Sequence, residues 1–372
     1  MGMVRGGVLV AAGRSAMLRG VNSAPSLLRL APRQARMGAF RLAPSELAAL
    51  GLKASTFGRL HRPWQWDANG PALSARVRSA LSEHGLGQPE FLEQHASSDG
   101  STKVRLLLAS DAVEAVHMPR AVSTQRVTLC ISSQVGCAMG CSFCATASMG
   151  LRRQLGAGEI VAQVLFLMRA FGPRHPGQLT LVFMGMGEPL HNLAEVARAI
   201  DLFTEPSGLG LSPRRITVST SGLVPQIDAL AALHNRPLLA VSLNATTDAL
   251  RRELMQINKR YPLAELRAAL SRFPLRPRER ITIEYVLLAG VNDSDDDAHR
   301  LADFCAPFPH HINLIPFNEH ASSGFEAPSE DRVNAFARSL LARRPTILSV
   351  RRSRGRDVGA ACGQLVHASP TL

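Results

Sequence analysis

Cys137-Ala138-Met139-Gly140-Cys141-Ser142-Phe143-Cys144 sets three of the chain's six cysteines on one short loop, in the pattern Cys-x3-Cys-x2-Cys. Thiolates are soft ligands that suit iron–sulfur clusters or zinc. Three of them on a tight loop can hold three corners of a cubane [4Fe-4S] cluster and leave the fourth iron open to a chelating substrate. A structural zinc site wants a fourth protein ligand, and none lies nearby in the sequence. The other cysteines, Cys130, Cys305 and Cys362, are scattered. In a chain of 372 residues with no secretory signal, this usage predicts metal or catalytic chemistry in a reducing compartment rather than a disulfide framework.

The loop follows a β-rich run, Val127–Ser132. Similar runs recur at Leu179–Met184, Ile216–Thr220, Leu238–Leu243, Ile281–Leu287, Ile312–Ile315 and Ile347–Val350. Helical patterns lie between most of them. Glu159–Phe171 carries Ile160, Val164, Leu167, Met168 and Phe171 at helical spacing, and Asn192-x-x-Glu195 resembles a capping box opening Leu193–Phe203. Asp248–Ile257, Leu263–Phe273 and Arg332–Leu341 read the same way. Alternating strands and helices predict the α/β class, a parallel sheet covered by helices and wound right-handedly into an open or closed barrel. In such folds the chemistry sits at the carboxyl ends of the strands.

Upstream, Thr102–Leu108 and Val113–Met118 read as two strands turned at Ser110-Asp111. Ser45–Leu50 and Ala72–Leu86 read as short amphipathic helices, with Trp64 and Trp66 filling a small core between them. Before the first acidic residue, Glu46, stand Arg5, Arg14, Arg19, Arg29, Arg33, Arg36 and Arg41, a large share of the formal net charge of +13. An Arg-rich, acid-free leader dotted with Ala, Gly and Ser has the composition of an organelle transit peptide, which predicts a plastid or mitochondrion. A start codon placed too far upstream, or a basic disordered tail, is the alternative and predicts the cytoplasm. No apolar run approaches the ~18–20 residues that cross a bilayer, so no membrane partner is expected. The expected division is a leader over 1–42, a small accessory domain over 43–100, a core over 101–366 and a tail over 367–372. The charge left outside the leader suits a polyanion. It clusters at Arg214-Arg215, Arg251-Arg252, Lys259-Arg260, Arg343-Arg344 and Arg351-Arg352-Ser353-Arg354-Gly355-Arg356.

A Cys-x3-Cys-x2-Cys loop with an aromatic before its last cysteine is the signature of the radical S-adenosylmethionine (SAM) superfamily. Further blocks resemble the RlmN/Cfr family of RNA adenine methyltransferases: Thr128–Cys137, Met184-Gly185-Met186-Gly187-Glu188-Pro189, Ser219-Thr220-Ser221-Gly222, Ile257-Asn258-Lys259, Thr282–Val286, Ile312–Pro316 and Ala361-Cys362-Gly363-Gln364. The resemblance spans about residues 99–366. It implies a partial (β/α) barrel of the radical SAM type, a [4Fe-4S] cluster on Cys137, Cys141 and Cys144, and a SAM site lined by Gly187, Glu188, Ser219, Ser242, Leu243, Asn244 and Asn318. Gly187-Glu188-Pro189 ends a strand, where a glycine turn exposes backbone carbonyls and Glu188 adds charge for the amino group of SAM. Taken singly, each of these serines and asparagines is an ordinary turn residue. Asn244 stands where the family usually has histidine, and the N-terminal region looks shortened.

The same resemblance implies the reaction. Cys362 is methylated on sulfur by one SAM. A second SAM is cleaved to a 5′-deoxyadenosyl radical that takes hydrogen from that methyl group, and the resulting methylene adds to an adenine ring carbon. Cys130 resolves the protein–RNA adduct through a transient Cys130–Cys362 disulfide, and Glu114 accepts a proton. Read blandly, Cys130 is a buried strand cysteine, Glu114 a solvated strand carboxylate and Cys305 a packing residue. The small neighbours of Cys362, Gly359-Ala360-Ala361 and Gly363, would let a large substrate approach the sulfur. The expected product is adenosine methylated at carbon 2 in 23S-type ribosomal RNA, with transfer RNA as a further candidate. The alternatives are carbon 8, as in the resistance branch of the family, and a non-catalytic iron–sulfur RNA- or ribosome-binding protein. The latter would not need both Cys130 and Cys362. The expected partners are RNA and an electron donor such as flavodoxin or ferredoxin, and a monomer is expected.

Overall fold

The computed structural model describes residues 38–365 apart from 68–69, 86, 121–125, 174, 321–322 and 353. Its strands are β1 (Glu90–Ala96), β2 (Thr102–Leu108), β3 (Asp111–Pro119), β4 (Val127–Cys130), β5 (Gln134–Gly136), β6 (Leu151–Gln154), β7 (Leu179–Phe183), β8 (Ile216–Thr220), β9 (Leu238–Ser242), β10 (Ile281–Leu287), β11 (His310–Pro316) and β12 (Leu348–Val350). Ten of them form one sheet in the order β1-β2-β3-β4-β7-β8-β9-β10-β11-β12. From β4 to β12 every neighbouring pair is parallel, while β1, β2 and β3 join as an antiparallel extension. β5 and β6 form a separate antiparallel hairpin around the cysteine loop. The sheet ends at β1 and β12, so the fold is the expected partial barrel.

The parallel strands are apolar because both faces are covered. Leu181, Val218, Val241, Ile283 and Leu314 are all buried in one continuous core. The helix Ala157–Phe171 packs on it through Ile160, Val164, Leu167 and Met168, as its spacing predicts. The capping box expected at Asn192 does not form. Asn192 instead donates to the carbonyls of Ser133 and Leu155, at 2.9 and 2.8 Å, and Glu195 accepts from the Ala157 amide. Both side chains are drawn away to backbone groups that flank the β5–β6 hairpin and open the helix Ala157–Phe171, a demand the local pattern does not reveal.

The N-terminal boundary also shifts. Ala39, Phe40 and Leu42, which the composition assigns to the leader, are buried in the main core. Phe40 stacks on Trp66 with centroids 5.7 Å apart, and its carbonyl lies 2.9 Å from Nε2 of the buried His61. Burial lowers His61 to about 4, so it stays neutral and serves as a packed polar brace. Trp64, by contrast, faces solvent. β1 belongs to the large sheet, so the boundary expected at residue 100 falls inside the β1–β2 hairpin. The transit-peptide reading over residues 1–37, the loop 121–125 and the tail beyond 366 lie outside the described residues. Among those described, no helix is long and apolar enough to cross a membrane.

Phe40→Ala is expected to lower the unfolding free energy by about 3 kcal/mol, the cost of emptying an aromatic core site. Urea denaturation of the wild-type and variant proteins measures it. An unchanged midpoint would return residues 38–42 to the leader.

Candidate active site

The cysteine loop is held from three sides. At its start Gly136 has φ +74°, and a Cβ there would lie 1.8 Å from the Gly150 carbonyl oxygen. The Cys137 amide donates to that same oxygen at 3.0 Å. In its middle, the Ser142 amide donates to Leu254 O at 3.0 Å. At its end, the Ala145 amide donates to Gly363 O at 2.7 Å and Thr146 Oγ1 to Leu365 O at 2.5 Å. The last two bonds attach the C-terminal segment directly to the loop. Cys137, Cys141 and Cys144 are free and partly exposed. Burial pushes Cys137 up to about 12 and Cys141 and Cys144 upward as well, with the neighbouring thiols adding to the first two. Thiolates crowded this way need compensating cations. Three thiols spread along a loop suit the separate corners of a cubane, not the tetrahedral shell of zinc.

The residues expected to line SAM follow the strands in turn. Gly187 and Glu188 come after β7, Ser219 lies in β8, Ser242 ends β9, Leu243 and Asn244 follow it, and Asn318 comes two residues after β11. All stand at the carboxyl edge. Gly187 has φ +100°, and a Cβ on it would lie 2.5 Å from Gln134 Cβ, so only glycine fits between the β7 turn and the loop's approach. Glu188 is buried. Its carboxylate accepts from Ser221 N at 2.8 Å and Leu190 N at 3.1 Å, tying the β8 turn to the β7 turn. Desolvation raises its pKa, and those donors oppose the shift. Asn244 takes φ +57° and accepts from Val286 N at 2.9 Å, so here an asparagine meets the strained backbone directly. Asn318 donates to Cys362 O at 3.1 Å. Two buried oxygens, Ser133 Oγ and Glu284 Oε1, have no hydrogen-bond donor or acceptor among the described residues, which fits a wall left open to a polar ligand.

A Radical SAM superfamily model matches residues 131–302. The chain is 51% identical over 271 residues to the dual-specificity RNA methyltransferase RlmN of Geotalea uraniireducens, covering 73% of this chain and 76% of that one. It is 44% identical to the RlmN of Sorangium cellulosum, covering 87% and 92%. A solved radical SAM methyltransferase from Sphaerobacter thermophilus superposes with a TM-score of 0.81 at 40% identity, covering 88% of this chain and 99% of that one. This chain belongs to the RlmN family. It is a radical SAM RNA methyltransferase, and its cofactors are a [4Fe-4S] cluster and SAM.

Within this RlmN-type chain, Cys130 and Cys362 line one small cavity with Met118, Val182, Met184, Arg351, Arg354, Ala360, Ala361 and Leu365. Both are free thiols. Cys130 is indeed a buried strand cysteine, but it ends β4 and so reaches the carboxyl edge. Cys305 is buried at the end of the helix Asp295–Cys305, away from this cavity. Glu114 is not solvated. It is buried on β3, and its Oε1 lies 3.1 Å from Lys103 Nζ. Lys103 in turn stands 3.4 Å from where a Cβ on Gly359 would sit, next to the Cys362 loop. The small residues of that loop serve its own path first. Gly355, Gly359 and Gly363 have φ of +71°, +62° and +85°, and a Cβ on Gly355 would meet Ala360 Cβ at 2.6 Å.

Sequence reading missed the device that holds this loop. Asp99 and Asp357 clamp it to the β1–β2 turn. Gly355 N donates to Asp99 Oδ2 at 2.8 Å. Ser97 Oγ and Ser98 N donate to the two oxygens of Asp357 at 2.6 and 3.0 Å. Arg354 donates to Asp99 O at 2.7 Å and to Pro119 O. Several arginines offered for RNA are spent on structure. Arg251 is fully buried and donates to Leu243 O, Ser221 O, Ser242 O and Asn258 Oδ1, bracing the turns after β8 and β9. Arg343 and Arg344 pair with Asp303.

Burial works against ionisation of Asp99, yet hydrogen bonds from Ser101 and Gly355 outweigh it and lower its pKa. The Ser97 and Ser98 donors lower Asp357. Both folded values lie below the unfolded 3.8. The clamp is therefore complete above about pH 4 and weakens as pH falls through the folded values. Asp99→Asn is expected to accelerate hydrogen exchange at Gly355, and Asp357→Asn at Ser98, near neutral pH. Unchanged protection at those amides would show that the clamp is not needed.

Proposed function

We propose that this enzyme methylates carbon 2 of adenosine in 23S-type ribosomal RNA and in transfer RNA, through an S-methylated Cys362. The observation that carries the reading is the shared cavity of Cys130 and Cys362, with the Cys362 loop bonded to the cysteine loop through Gly363 and Leu365. A thiol that only packs needs no such placement beside a second free thiol and the radical-generating loop. The dual-specificity name of the relatives supports more than one RNA substrate, and the sequence blocks that resemble the RlmN branch favour carbon 2 over carbon 8.

In this reading Cys137, Cys141 and Cys144 hold the cluster, and Gly187, Glu188, Ser219, Ser242, Leu243, Asn244 and Asn318 line SAM. Bound there, the two cofactors supply a methyl group and a hydrogen-abstracting radical. Glu188 acts by fixing the β8 turn rather than by offering a free charge. Asn318 orients the Cys362 backbone as well as facing SAM. Cys362 carries the carbon, and its methylene becomes bonded to the adenine ring. Glu114 takes up the ring proton, with Lys103 holding its carboxylate in place, and the one electron released as the ring regains its aromaticity would pass back to the cluster that supplied one to SAM. The Cys130 thiolate then attacks the Cys362 sulfur. An S–S bond forms and the S–C bond breaks. The electron pair stays with the carbon, which takes a proton to become the product methyl. A thiol reductant returns the disulfide to two thiols. Exposed Arg356 beside the Cys362 loop suits an RNA phosphate, while its exposed neighbour Arg352 pairs with Glu330 at 2.8 Å. The electron donor is expected to be a flavodoxin or ferredoxin, and the enzyme a monomer. The relatives are bacterial, which supports a cytoplasmic enzyme over an imported one.

Cys130→Ala is expected to trap a covalent protein–RNA adduct, visible as a shifted band that ribonuclease collapses. Turnover without adduct would remove Cys130 from the reaction. The triple Cys137/Cys141/Cys144→Ala protein is expected to lose its brown chromophore and bound iron. Retained iron would reassign the cluster ligands. Mass spectrometry of RNA from cells with and without the gene reports the base and carbon modified, and an 8-methyl product would overturn the carbon-2 reading.

A further inference from the structure

A partly buried ion pair at the thiol cavity has no role in the disulfide step described so far. Glu284 sits in the middle of β10 between Ile283 and Tyr285, both in the core, so its side chain turns to the opposite face of the sheet. Its Oε2 accepts from Ser219 Oγ at 3.1 Å. Its Oε1 has no hydrogen-bond donor among the described residues and lies 3.7 Å from Arg351 Nη1. Arg351 follows β12, where its amide continues the ladder by donating to Leu314 O at 2.8 Å. From that anchor its side chain reaches the cavity that Cys130 and Cys362 line.

The charged and polar groups around Cys130 can be taken element by element. β3 presents Met118 and β7 presents Val182, both apolar. The segment after β7 presents Met184, whose backbone N–H favours the sulfur anion. The C-terminal loop presents Arg351, Arg354 and Cys362, and Arg354 is committed to Asp99 O and Pro119 O. β10 contributes Glu284 behind Arg351. Arg351 is therefore the cation available to the cavity's two sulfurs, bearing most on Cys362 and also on Cys130. Once Cys362 carries the carbon it has no thiolate form, and Cys130 is the sulfur left for that charge to stabilise.

Building on the resolving role proposed for Cys130, we propose that Arg351 is a positioning residue that stabilises the Cys130 sulfur as an attacking anion, and that Glu284 both aims and moderates it. Disulfide exchange needs a thiolate. A sulfur enclosed by methionine, valine and a second thiol resists becoming one, and burial accordingly pushes the Cys130 thiol far up, with Arg351 opposing. An Arg without a counter-ion would be costly to hold in such a cavity. Glu284 offsets that cost, and it weakens the field at sulfur by its own opposite charge. The two residues should thus push Cys130 reactivity in opposite directions. Any purely structural damage would push it the same way in both variants, toward greater exposure and faster reaction.

The test uses the cluster-loaded protein without RNA. The rate at which iodoacetamide alkylates Cys130, resolved from the other thiols by peptide mass spectrometry, is measured at several pH values between 7 and 9. Arg351→Gln is expected to slow it roughly three- to tenfold. That is less than a full charge–charge pair gives, because Arg351 stays partly open to water. Glu284→Gln is expected to accelerate it, and Arg351→Lys to keep most of the wild-type rate. Slowing in Arg351→Gln with acceleration in Glu284→Gln supports the assignment. Equal rates in all proteins, or acceleration in both glutamine variants, overturn it. The readout does not depend on RNA turnover. If Cys130→Ala fails to trap an adduct, the resolving role falls while the alkylation result still decides the electrostatic one.

Discussion

The structure depends on one constraint, the return of the chain's end to the place where its catalytic core begins. Cys130 ends the first parallel strand, and Cys362 follows the last. An open sheet leaves those strands at opposite sides of the site, so a loop must cross the gap. Closing so long a segment costs entropy that no single contact recovers. The loop after β12 is accordingly fastened at several points. Asp99 and Asp357 hold its first half on the β1–β2 turn, and Gly363 and Leu365 hold its second half on the cysteine loop. The antiparallel extension β1–β3 thereby gains a function. It provides the turn on which the Cys362 loop docks.

Buried charge is arranged by the same economy. Arg251 and Glu188 both brace the carboxyl edge, where the parallel strands release their last carbonyls and amides. Arg251 satisfies carbonyls of the turns after β8 and β9, and Glu188 satisfies amides of the turns after β7 and β8. Each spans neighbouring strands, so the rim of the sheet is cross-braced by side chains instead of further ladder bonds. That bracing leaves few polar groups over. Those that remain, such as Glu284 Oε1 and Ser133 Oγ, lie beside the proposed SAM wall and the thiol cavity.

Much of this was legible in the sequence. The spacing of Cys137, Cys141 and Cys144 marked the loop proposed to hold the cluster, because ligand count and softness are local properties. The runs Ile216–Thr220 and Ile281–Leu287 declared strands β8 and β10 to the residue, because β-branched and aromatic residues dominate a strand covered on both faces. Less regular elements escaped. β1 carries Glu90, Glu93, Gln94 and His95 on an exposed edge and shows no apolar alternation. The hairpin β5–β6 is too short for a period, and the helix Asp295–Cys305 opens with three aspartates that mask its apolar face.

The sequence by itself determined which chemistry is available, since the cysteines, their spacing and the strand pattern are written in order along the chain. Tertiary structure alone decided which partners those residues meet. Glu114 became a buried carboxylate against Lys103, Arg251 a brace instead of an RNA contact, and Arg351 the cation at the thiol pair. The physical reason is that charge–charge and hydrogen-bond partners lie on separate strands and loops. Their pairing is set by sheet order and by the crossing of the last loop, and neither of these has a local signature.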